Sequence, residues 1–271
     1  MTTYSISQFR REFPDERACL EYIFKKKYPN VAQYYFVKGR KCFANPQGKQ
    51  IHPVKGTIFE KSPTPLVSWF YAIYLFSVSK NGVSAKELQR QLDVTYKTAW
   101  RIGKQIRSLM KAGKNPLEGT IEVDETYIGG KFQGKGKGFR RDNKTAVMGM
   151  VQRGGGVRAY KVRNIKASTL LKKIRENIKK GSRIMSDELW AYHRTWGMGY
   201  SHFSVNHSAK EYVRGSAHTN TIEGFWSNMK RAMDGTYHVV SPKHLQSYVD
   251  EFSFRYNYRA EPIFSALMSR I

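Results

Sequence analysis

The chain has 271 residues, of which 40% are hydrophobic and 14% aromatic, so one large or two modest domains can form a core and wholesale disorder is excluded. Its 47 Lys and Arg against 21 Asp and Glu give a formal net charge of +26, divided as +14 in residues 1–115 and +12 in residues 116–271. Because both halves are basic, a polyanion such as nucleic acid is favoured as partner over a membrane surface.

Cysteine usage and hydropathy indicate the compartment. Cys19 and Cys42 are too few for a disulfide framework. The first residues lack the charged-then-apolar pattern of a secretory leader, and the most apolar run, residues 65–78, is too short to span a bilayer. We therefore expect a cytoplasmic, reduced, soluble protein with no membrane partner.

The first half reads as mostly helical. Residues 9–28 have apolar residues at helical spacing after an acidic start. Residues of about 30–60 are polar and rich in Gly and Pro, which predicts a lobe of short strands joined by turns. Residues 66–79 then predict a buried helix.

Residues 83–110 have the layout of a helix-turn-helix, whose second helix enters the major groove of DNA. Ser84 caps the first helix, and residues 93–95 form a tight break before the second. An ordinary helical hairpin with solvated lysines is the alternative, but the charge of the chain favours DNA binding. Three basic residues are expected on the exposed side of the second helix: Lys97, Arg101 and Lys104.

A Lys/Gly/Pro break at residues 111–119 is the expected domain boundary. It separates an N-terminal DNA-binding region, residues 1–115, from a second domain, residues 116–271. Beyond the break three apolar runs with turn signals are followed by an amphipathic helix, another short strand and further helices. This order predicts an α/β domain with a mixed sheet and flanking helices.

Three carboxylates stand out in the second domain. Asp124 lies in its first strand, Asp187 at or near the end of a later strand, and Glu223 at the start of a helix. Clustered carboxylates repel one another unless cations neutralise them. Hard oxygen ligands suit Mg²⁺ or Mn²⁺, and a pair of such ions supports in-line attack at phosphorus.

The residues that carry this pattern resemble a known family. The blocks "IEVDETYIGGK", "SDELWAYH" and "HTNTIEGFWSNMKRAMDG" are similar to those of IS1595-family insertion-sequence transposases with an ISXO2-like domain, and the similarity runs over nearly the whole chain. The resemblance implies a ribonuclease-H-like catalytic domain of the DDE class. It also implies double-stranded DNA as partner, at transposon ends and target, and self-association at least as a dimer on DNA. For a bacterial protein of this kind the expected location is the nucleoid.

The third metal ligand has two candidates. The resemblance to an Asp-Asp-Asn pattern nominates Asn220, whereas the spacing from Asp187 nominates Glu223. The two residues are three apart on a helix and share a face. Lys230, seven residues beyond Glu223, lies two turns further along that face and is expected to contact the DNA backbone.

Further residues are expected to support the site rather than to bind metal. Glu122 lies on the same face of its strand as Asp124, whereas Glu125 points to the opposite face. Strand alternation also turns Glu188 away from its neighbour Asp187, so Glu188 is assigned a supporting role. His207 and His218 flank a polar loop and are commonly structural, with contact to phosphate or to the acidic residues as the alternative.

One departure from the family concerns zinc. Members often begin with a zinc ribbon built from two Cys pairs, but the matching stretch here has only Cys42, and Cys19 lies in the preceding helix. Cys42 and His52 alone cannot complete a tetrahedral site. We expect a degenerate, ribbon-like lobe without structural zinc.

Residues 129–144 follow the first catalytic strand and are rich in Gly and basic residues. They do not match a phosphate-binding loop of the GxxxxGK[ST] type, and a basic hairpin tip that lies on DNA phosphates is favoured over a solvated loop. Its expected DNA contacts are Lys135, Lys137, Arg140 and Arg141.

Three functions remain open at this point. The first is a DNA transposase that cleaves and joins strands with divalent metal. The second is a transposase-derived DNA-binding protein without catalytic activity, and the third is a metal-dependent DNA nuclease. The presence of Asp124, Asp187 and Glu223 together favours the first, because a protein without catalysis has no chemical need of all three.

Overall fold

The computed structural model describes residues 4–113, 115–129, 144–186, 190–204 and 218–271. The chain forms two compact units, one of Met1–Leu109 with Ala260–Ile271 and one of Met110–Arg259. The expected second domain, residues 116–271, therefore does not keep its last twelve residues, which pack with the first unit.

The first unit is mostly helical. Its helices before residue 110 are α1 (Ile6–Glu12), α2 (Glu16–Lys27), α3 (Leu66–Val78), α4 (Ala85–Leu92) and α5 (Tyr96–Ser108). The single helical run expected over residues 9–28 is two helices, because the chain breaks at Pro14 and Asp15 caps α2 by accepting from the Ala18 amide. The buried helix expected at 66–79 is α3, with Trp69, Phe70 and Ile73 fully buried.

Three short strands lie between α2 and α3. They are β1 (Tyr35–Phe36), β2 (Phe43–Ala44) and β3 (Gln50–Ile51), which pair antiparallel in this order. Cys42 and Cys19 are both buried and free. Burial raises the pKa of the Cys19 thiol to about 12, which disfavours the thiolate that zinc requires. A lobe without structural zinc stays a prediction.

Helices α4 and α5 are joined by a break at residues 93–95, where Asp93 has a left-handed backbone with φ of 49°. Thr95 caps α5 by accepting from the Thr98 amide. The buried side of α5 carries Ala99, Ile102 and Ile106. The two helices and the break thus lie where the sequence indicated them.

The second unit contains a mixed five-stranded sheet. Its strands are β4 (Thr120–Ile128), β5 (Thr145–Gln152), β6 (Val157–Lys161), β7 (Arg183–Ser186) and β8 (Ser201–Ser204). The order is β6-β5-β4-β7-β8, so β4 is central. It pairs antiparallel with β5 and parallel with β7, and β7 pairs parallel with β8. The predicted α/β class with a mixed sheet is confirmed.

Helices cover both faces of this sheet. The helices are α6 (Ala167–Asn177), α7 (Asn220–Ala232), α8 (Leu245–Asn257), a 3₁₀ helix (Trp190–Met198) and a π-helix (Met233–Tyr237) that follows α7. Leu170 and Ile174 of α6 and Tyr192 of the 3₁₀ helix pack against Ile121 and Val123 of β4. On the other face α7 and α8 form a core with alternate residues of β5. The two faces of β4 therefore have different neighbours.

Side chains of α8 cover the free edge of β6. Asn257 accepts a hydrogen bond from the Val157 amide at 2.6 Å and donates one to the Val157 carbonyl at 3.0 Å. Gln246 accepts from the Lys161 amide at 2.7 Å and donates to the Ala159 carbonyl at 3.1 Å. Two amide side chains thus replace a neighbouring strand, which protects this edge from pairing with another chain.

Asn257→Ala is expected to lower the free energy of unfolding by about 1–3 kcal/mol, because it leaves a strand amide and carbonyl without these partners. Urea denaturation at an unchanged m-value measures this loss. The exposed Asn228 of α7 provides the control, since Asn228→Ala removes the same amide without a strand partner. Equal stabilities of the two variants would contradict the role of Asn257.

The last helix, α9 (Ile263–Met268), belongs to the first unit. Phe264 stacks on Tyr4 with ring centroids 4.4 Å apart and also meets Phe9 and Phe13. Burial of these aromatic rings is the physical reason why the chain returns. Among the residues that the structure describes, no helix is long and apolar enough to cross a membrane.

Candidate functional site

Asp124 lies on the central strand of the sheet and is partly buried. Its Oδ2 accepts a hydrogen bond from the indole Nε1 of Trp226 on α7 at 3.0 Å, and its Oδ1 accepts one from the Glu125 amide at 2.8 Å. The carboxylate therefore points to the face of the sheet that α7 and α8 cover. Both donors restrain its orientation, and the residue as a whole is only partly buried.

Glu122 lies on the same face and is fully buried. Its Oε2 accepts from the amides of Thr221 and Ile222 at 2.8 and 2.9 Å. Its Oε1 accepts from Arg153 Nε at 2.7 Å and from the Thr221 hydroxyl at 2.8 Å. The Thr219 side chain makes no capping bond to α7, so Glu122 supplies the acceptors that the first turn of this helix needs.

His218 lies beside this cluster. Its Nδ1 is 3.3 Å from Glu122 Oε1, but it has no hydrogen-bond partner among the residues that the structure describes. The distance is that of a contact between atoms, and the geometry is not that of a hydrogen bond. The His218 carbonyl accepts from Arg153 Nη2 at 2.8 Å, so the segment that leads into α7 is held by the same arginine as Glu122.

The contacts to Glu122 and Asp124 fix α7 along β4. Two strand residues span about 6.6 Å, and the five residues from Thr221 to Trp226 span about 7.5 Å of helix. Because the earlier strand residue contacts the start of the helix and the later one contacts a residue further along it, the helix and the strand run in the same general direction. Glu122 holds its start and Asp124 meets its second turn.

Asn220, Glu223 and Lys230 all lie on the exposed side of α7. Glu223 Oε1 accepts from the Thr219 hydroxyl at 2.9 Å. Measured along the helix from Trp226, Glu223 is about 4.5 Å and Asn220 about 9 Å towards the start. Of the two candidates for the third ligand, Glu223 is therefore closer to the level of Asp124.

Glu125 lies on the other face of the sheet, as strand alternation predicts. Its carboxylate accepts a hydrogen bond from the hydroxyl of Tyr192, whose ring is fully buried among the residues that pack on α6. Glu125 is thus separated from Asp124 by the sheet and anchors the 3₁₀ helix that follows β7.

Several predicted residues lie outside the described part of the chain. β7 ends at Ser186, which pairs with Val123 next to Asp124. The site residues outside the described ranges are Asp187, Glu188, His207, Lys135, Lys137, Arg140 and Arg141. Their roles stay predictions.

The donors on the α7 side fit a hard divalent cation. The carboxylates of Asp124 and Glu223 and the amide of Asn220 offer oxygen atoms of the type that Mg²⁺ and Mn²⁺ prefer. Within the described ranges, no group of three His, Cys, Asp or Glu is close enough to hold a metal. The expected set includes Asp187, so this finding does not bear on it.

The second helix of the pair in the first unit presents a basic and aromatic face. Lys97, Arg101 and Lys104 are exposed on α5, as is Tyr96. Lys104 Nζ lies 5.4 Å from the ring centroid of Trp100. Cations and rings are therefore interleaved on one side of α5, while its opposite side packs in the core.

Sequence reasoning missed four contacts of the site. Arg153 and Thr221 bind Glu122, Trp226 binds Asp124, and His202 Nε2 lies 2.9 Å from the hydroxyl of Ser186. These contacts join residues far apart in the sequence, and no local pattern indicates them. The buried glycine Gly149, within β5, was the one available signal, since such a glycine marks a close approach.

Comparison with known proteins gives a consistent family. The profile of the ISXO2-like transposase domain matches residues 116–257. An "uncharacterized protein in transposable element ISH50" of Halobacterium salinarum is 26% identical over 216 residues, which are 74% of this chain and 72% of the relative. An "uncharacterized transposase-like protein" of Haemophilus influenzae is 30% identical over 96 residues, 35% of this chain and 76% of the relative.

A comparison with solved structures gives a weaker similarity. A chain of the cryo-EM structure of a simian T-cell lymphotropic virus intasome, in complex with the PP2A regulatory subunit B56 gamma, aligns with a TM-score of 0.32 and 13% identity. The alignment covers 62% of this chain and 63% of that chain. Such a score is too low to indicate a common fold.

Proposed function

The chain belongs to the IS1595 family of insertion-sequence transposases with an ISXO2-like domain, and on this premise we propose that it is a DDE-class DNA transposase. It would bind terminal inverted repeats and catalyse metal-dependent strand cleavage and strand transfer. The observation that carries the proposal is Asp124, a partly exposed carboxylate on the central strand that α7 orients. The mixed sheet with helices on both faces is compatible with a ribonuclease-H-like domain.

Asp124, Asp187 and Glu223 are the proposed ligands of two Mg²⁺ or Mn²⁺ ions, with Asn220 as the alternative to Glu223. When bound, such a pair of ions activates the attacking oxygen and stabilises the leaving oxygen at phosphorus. The two hydrogen bonds to Asp124 hold its carboxylate in one orientation before metal and DNA arrive. Such preorganisation avoids reorganisation during the reaction.

The negative site requires positive groups that bring DNA to it. Lys230 is exposed one turn beyond Trp226 on α7 and would contact phosphate near the scissile bond. The basic residues proposed to hold DNA from the 129–144 segment are Lys135, Lys137, Arg140 and Arg141. Glu188, His207 and His218 are proposed to support the site. Two copies would associate on paired transposon ends, and target DNA is the further partner.

The α5 helix is proposed to enter the major groove of the terminal repeat. Replacing Lys97, Arg101 and Lys104 together by Ala is expected to weaken binding. If each contacts one phosphate, the slope of log affinity against log salt falls in magnitude by about 2.7. Fluorescence anisotropy with a labelled terminal-repeat duplex, at several salt concentrations, measures both quantities.

The matched control for this prediction is Lys25→Ala on α2. Lys25 is exposed and paired with Glu21 at 3.1 Å. Lys25→Ala therefore removes a surface lysine that does not belong to α5. This single variant is expected to keep the wild-type slope. A triple variant with the wild-type affinity and slope would show that α5 does not contact DNA.

The function is tested by incubating the purified protein with terminal-repeat DNA and Mg²⁺ or Mn²⁺. Both nicked and joined products are expected, and neither in EDTA. Nicked products without joining would indicate a metal-dependent nuclease. A stable complex without products would indicate a DNA-binding protein derived from a transposase.

A further inference from the structure

Gly149 on β5 lies directly opposite Asp124 on β4. A Cβ atom at this position would be 2.4 Å from Cζ2 and 2.7 Å from Cη2 of the Trp226 ring, distances that no side chain tolerates. Glycine weakens a strand interior, so its presence here needs a compensating reason. The reason is the space that it leaves for the indole ring.

The Trp226 ring is held firmly in this space. Trp226 is 4% exposed. Ile222 also borders the position of Gly149, and the centroid of the Phe225 ring lies 5.0 Å from that of Trp226. An indole offers a single N–H donor. With the ring fixed by packing, this donor has one direction, and it points at Asp124 Oδ2 at 3.0 Å.

The hydrogen bond from Trp226 restrains the terminal side-chain torsion of Asp124, which must be fixed if the carboxylate is to bind a metal. The terminal torsion of an aspartate is broad, so a carboxylate on a strand rotates unless donors hold its plane. The Glu125 amide holds Oδ1 and Trp226 holds Oδ2. Each carboxylate oxygen has two lone pairs, and each of these two bonds uses one of them.

We propose that Trp226, placed by the space at Gly149, is a positioning residue that orients the Asp124 carboxylate for metal binding. The inference rests on the proposed function, in which Asp124 is a metal ligand. Trp226 itself touches neither metal nor DNA. Groups that hold a metal ligand in orientation commonly change metal affinity by about 10–100-fold when they are removed.

Trp226→Phe keeps an aromatic ring and removes the N–H donor. Titration of the full chain with Mn²⁺, followed by the EPR signal of free Mn²⁺, is expected to show a dissociation constant raised about tenfold or more. A tenfold change corresponds to about 1.4 kcal/mol. Trp196, which is 79% exposed, provides the matched control, and Trp196→Phe is expected to keep the wild-type constant.

A second variant separates orientation from loss of fold. Replacing Trp226 by benzothienylalanine keeps the bicyclic ring and substitutes sulfur for the N–H group. It is expected to unfold at the wild-type temperature and to bind Mn²⁺ as weakly as Trp226→Phe. Wild-type Mn²⁺ affinity in this variant would overturn the inference, because the fold is kept and only the donor is lost.

Gly149→Ala tests the space itself. It is expected to lower both the unfolding temperature and the Mn²⁺ affinity, because the new methyl group displaces the indole. In the double variant G149A/W226F the smaller ring is expected to recover the stability but not the affinity. Recovery of both would mean that ring volume, and not the N–H donor, orients Asp124.

Asp124→Ala distinguishes failure of this inference from failure of the proposed function. If Asp124→Ala binds Mn²⁺ as the wild type does, Asp124 is not a ligand and the proposed function fails. If Asp124→Ala loses Mn²⁺ binding while the benzothienylalanine variant keeps it, the proposed function stands and the positioning role of Trp226 fails.

Discussion

Glu122→Ala is expected to lower the free energy of unfolding of the Met110–Arg259 unit by about 3 kcal/mol or more. The substitution removes a fully buried carboxylate and leaves the partly buried guanidinium of Arg153 without that ion pair. It also leaves the amides of Thr221 and Ile222 without an acceptor, and loss of a helix cap alone costs about 1 kcal/mol. For a unit of this size the unfolding temperature is expected to fall by about 6–12 °C.

Thermal and urea denaturation followed by circular dichroism measure this effect. Glu118→Ala is the matched control, because Glu118 is an exposed carboxylate in the same unit, 62% exposed and paired with Lys179 at 2.9 Å. An exposed pair of this kind contributes at most about 1 kcal/mol. If Glu122→Ala were no more destabilising than Glu118→Ala, Glu122 would not anchor α7 to the sheet.

The second large effect concerns the third ligand. Glu223→Gln is expected to reduce strand cleavage by about 100-fold or more. The substitution removes the negative charge that would hold a cation, and such a cation stabilises the charge that develops in the transition state by several kcal/mol. Asn220→Ala is expected to have a smaller effect. Asn220 is the first residue of α7 and lies further than Glu223 from the level of Asp124. Single-turnover cleavage of terminal-repeat DNA at saturating Mg²⁺ measures both.

Glu223→Gln keeps the length of the side chain, so α7 and its contact with Thr219 are disturbed little. Asn228→Ala, on the exposed side of the same helix, is the control for a lost amide and is expected to cleave at the wild-type rate. A larger loss in Asn220→Ala than in Glu223→Gln would assign the third position to Asn220.

Much of the architecture is predictable from local pattern. The spacing of apolar residues indicates α3, α5 and α8, and strand alternation places Glu122 with Asp124 and Glu125 on the other face. These features depend on neighbours in the sequence, so periodicity contains the information. The membership of the family follows from the motif blocks that contain Asp124 and Glu223.

Other features depend on contacts between distant residues. Phe264 packs in the first unit because its ring stacks on that of Tyr4. The apolar pattern of a helix does not indicate which of two cores the helix packs in. The capping of α7 by Glu122 requires the helix start to reach the middle of a strand 99 residues earlier. Strand β8 is short and half-exposed. It therefore has no strong apolar run by which the sequence could indicate a strand.

Two aromatic residues near the site belong to the core. Trp226 and Phe225 are both buried and pack with α7, α8 and the sheet. Trp226 is nonetheless more than core, because its N–H group reaches Asp124. Sequence alone separates these roles poorly, since one side chain packs by its ring and acts by one polar atom.

Asp124 is the centre of the proposed strand-transfer site, so its replacement tests the proposed function most directly. Wild-type protein and Asp124→Ala, incubated with terminal-repeat DNA and Mg²⁺ or Mn²⁺, are compared for nicked and joined products on a denaturing gel. The wild type is expected to give both products, and the variant is expected to bind the DNA and give neither. Identical product patterns from the two proteins would contradict the account.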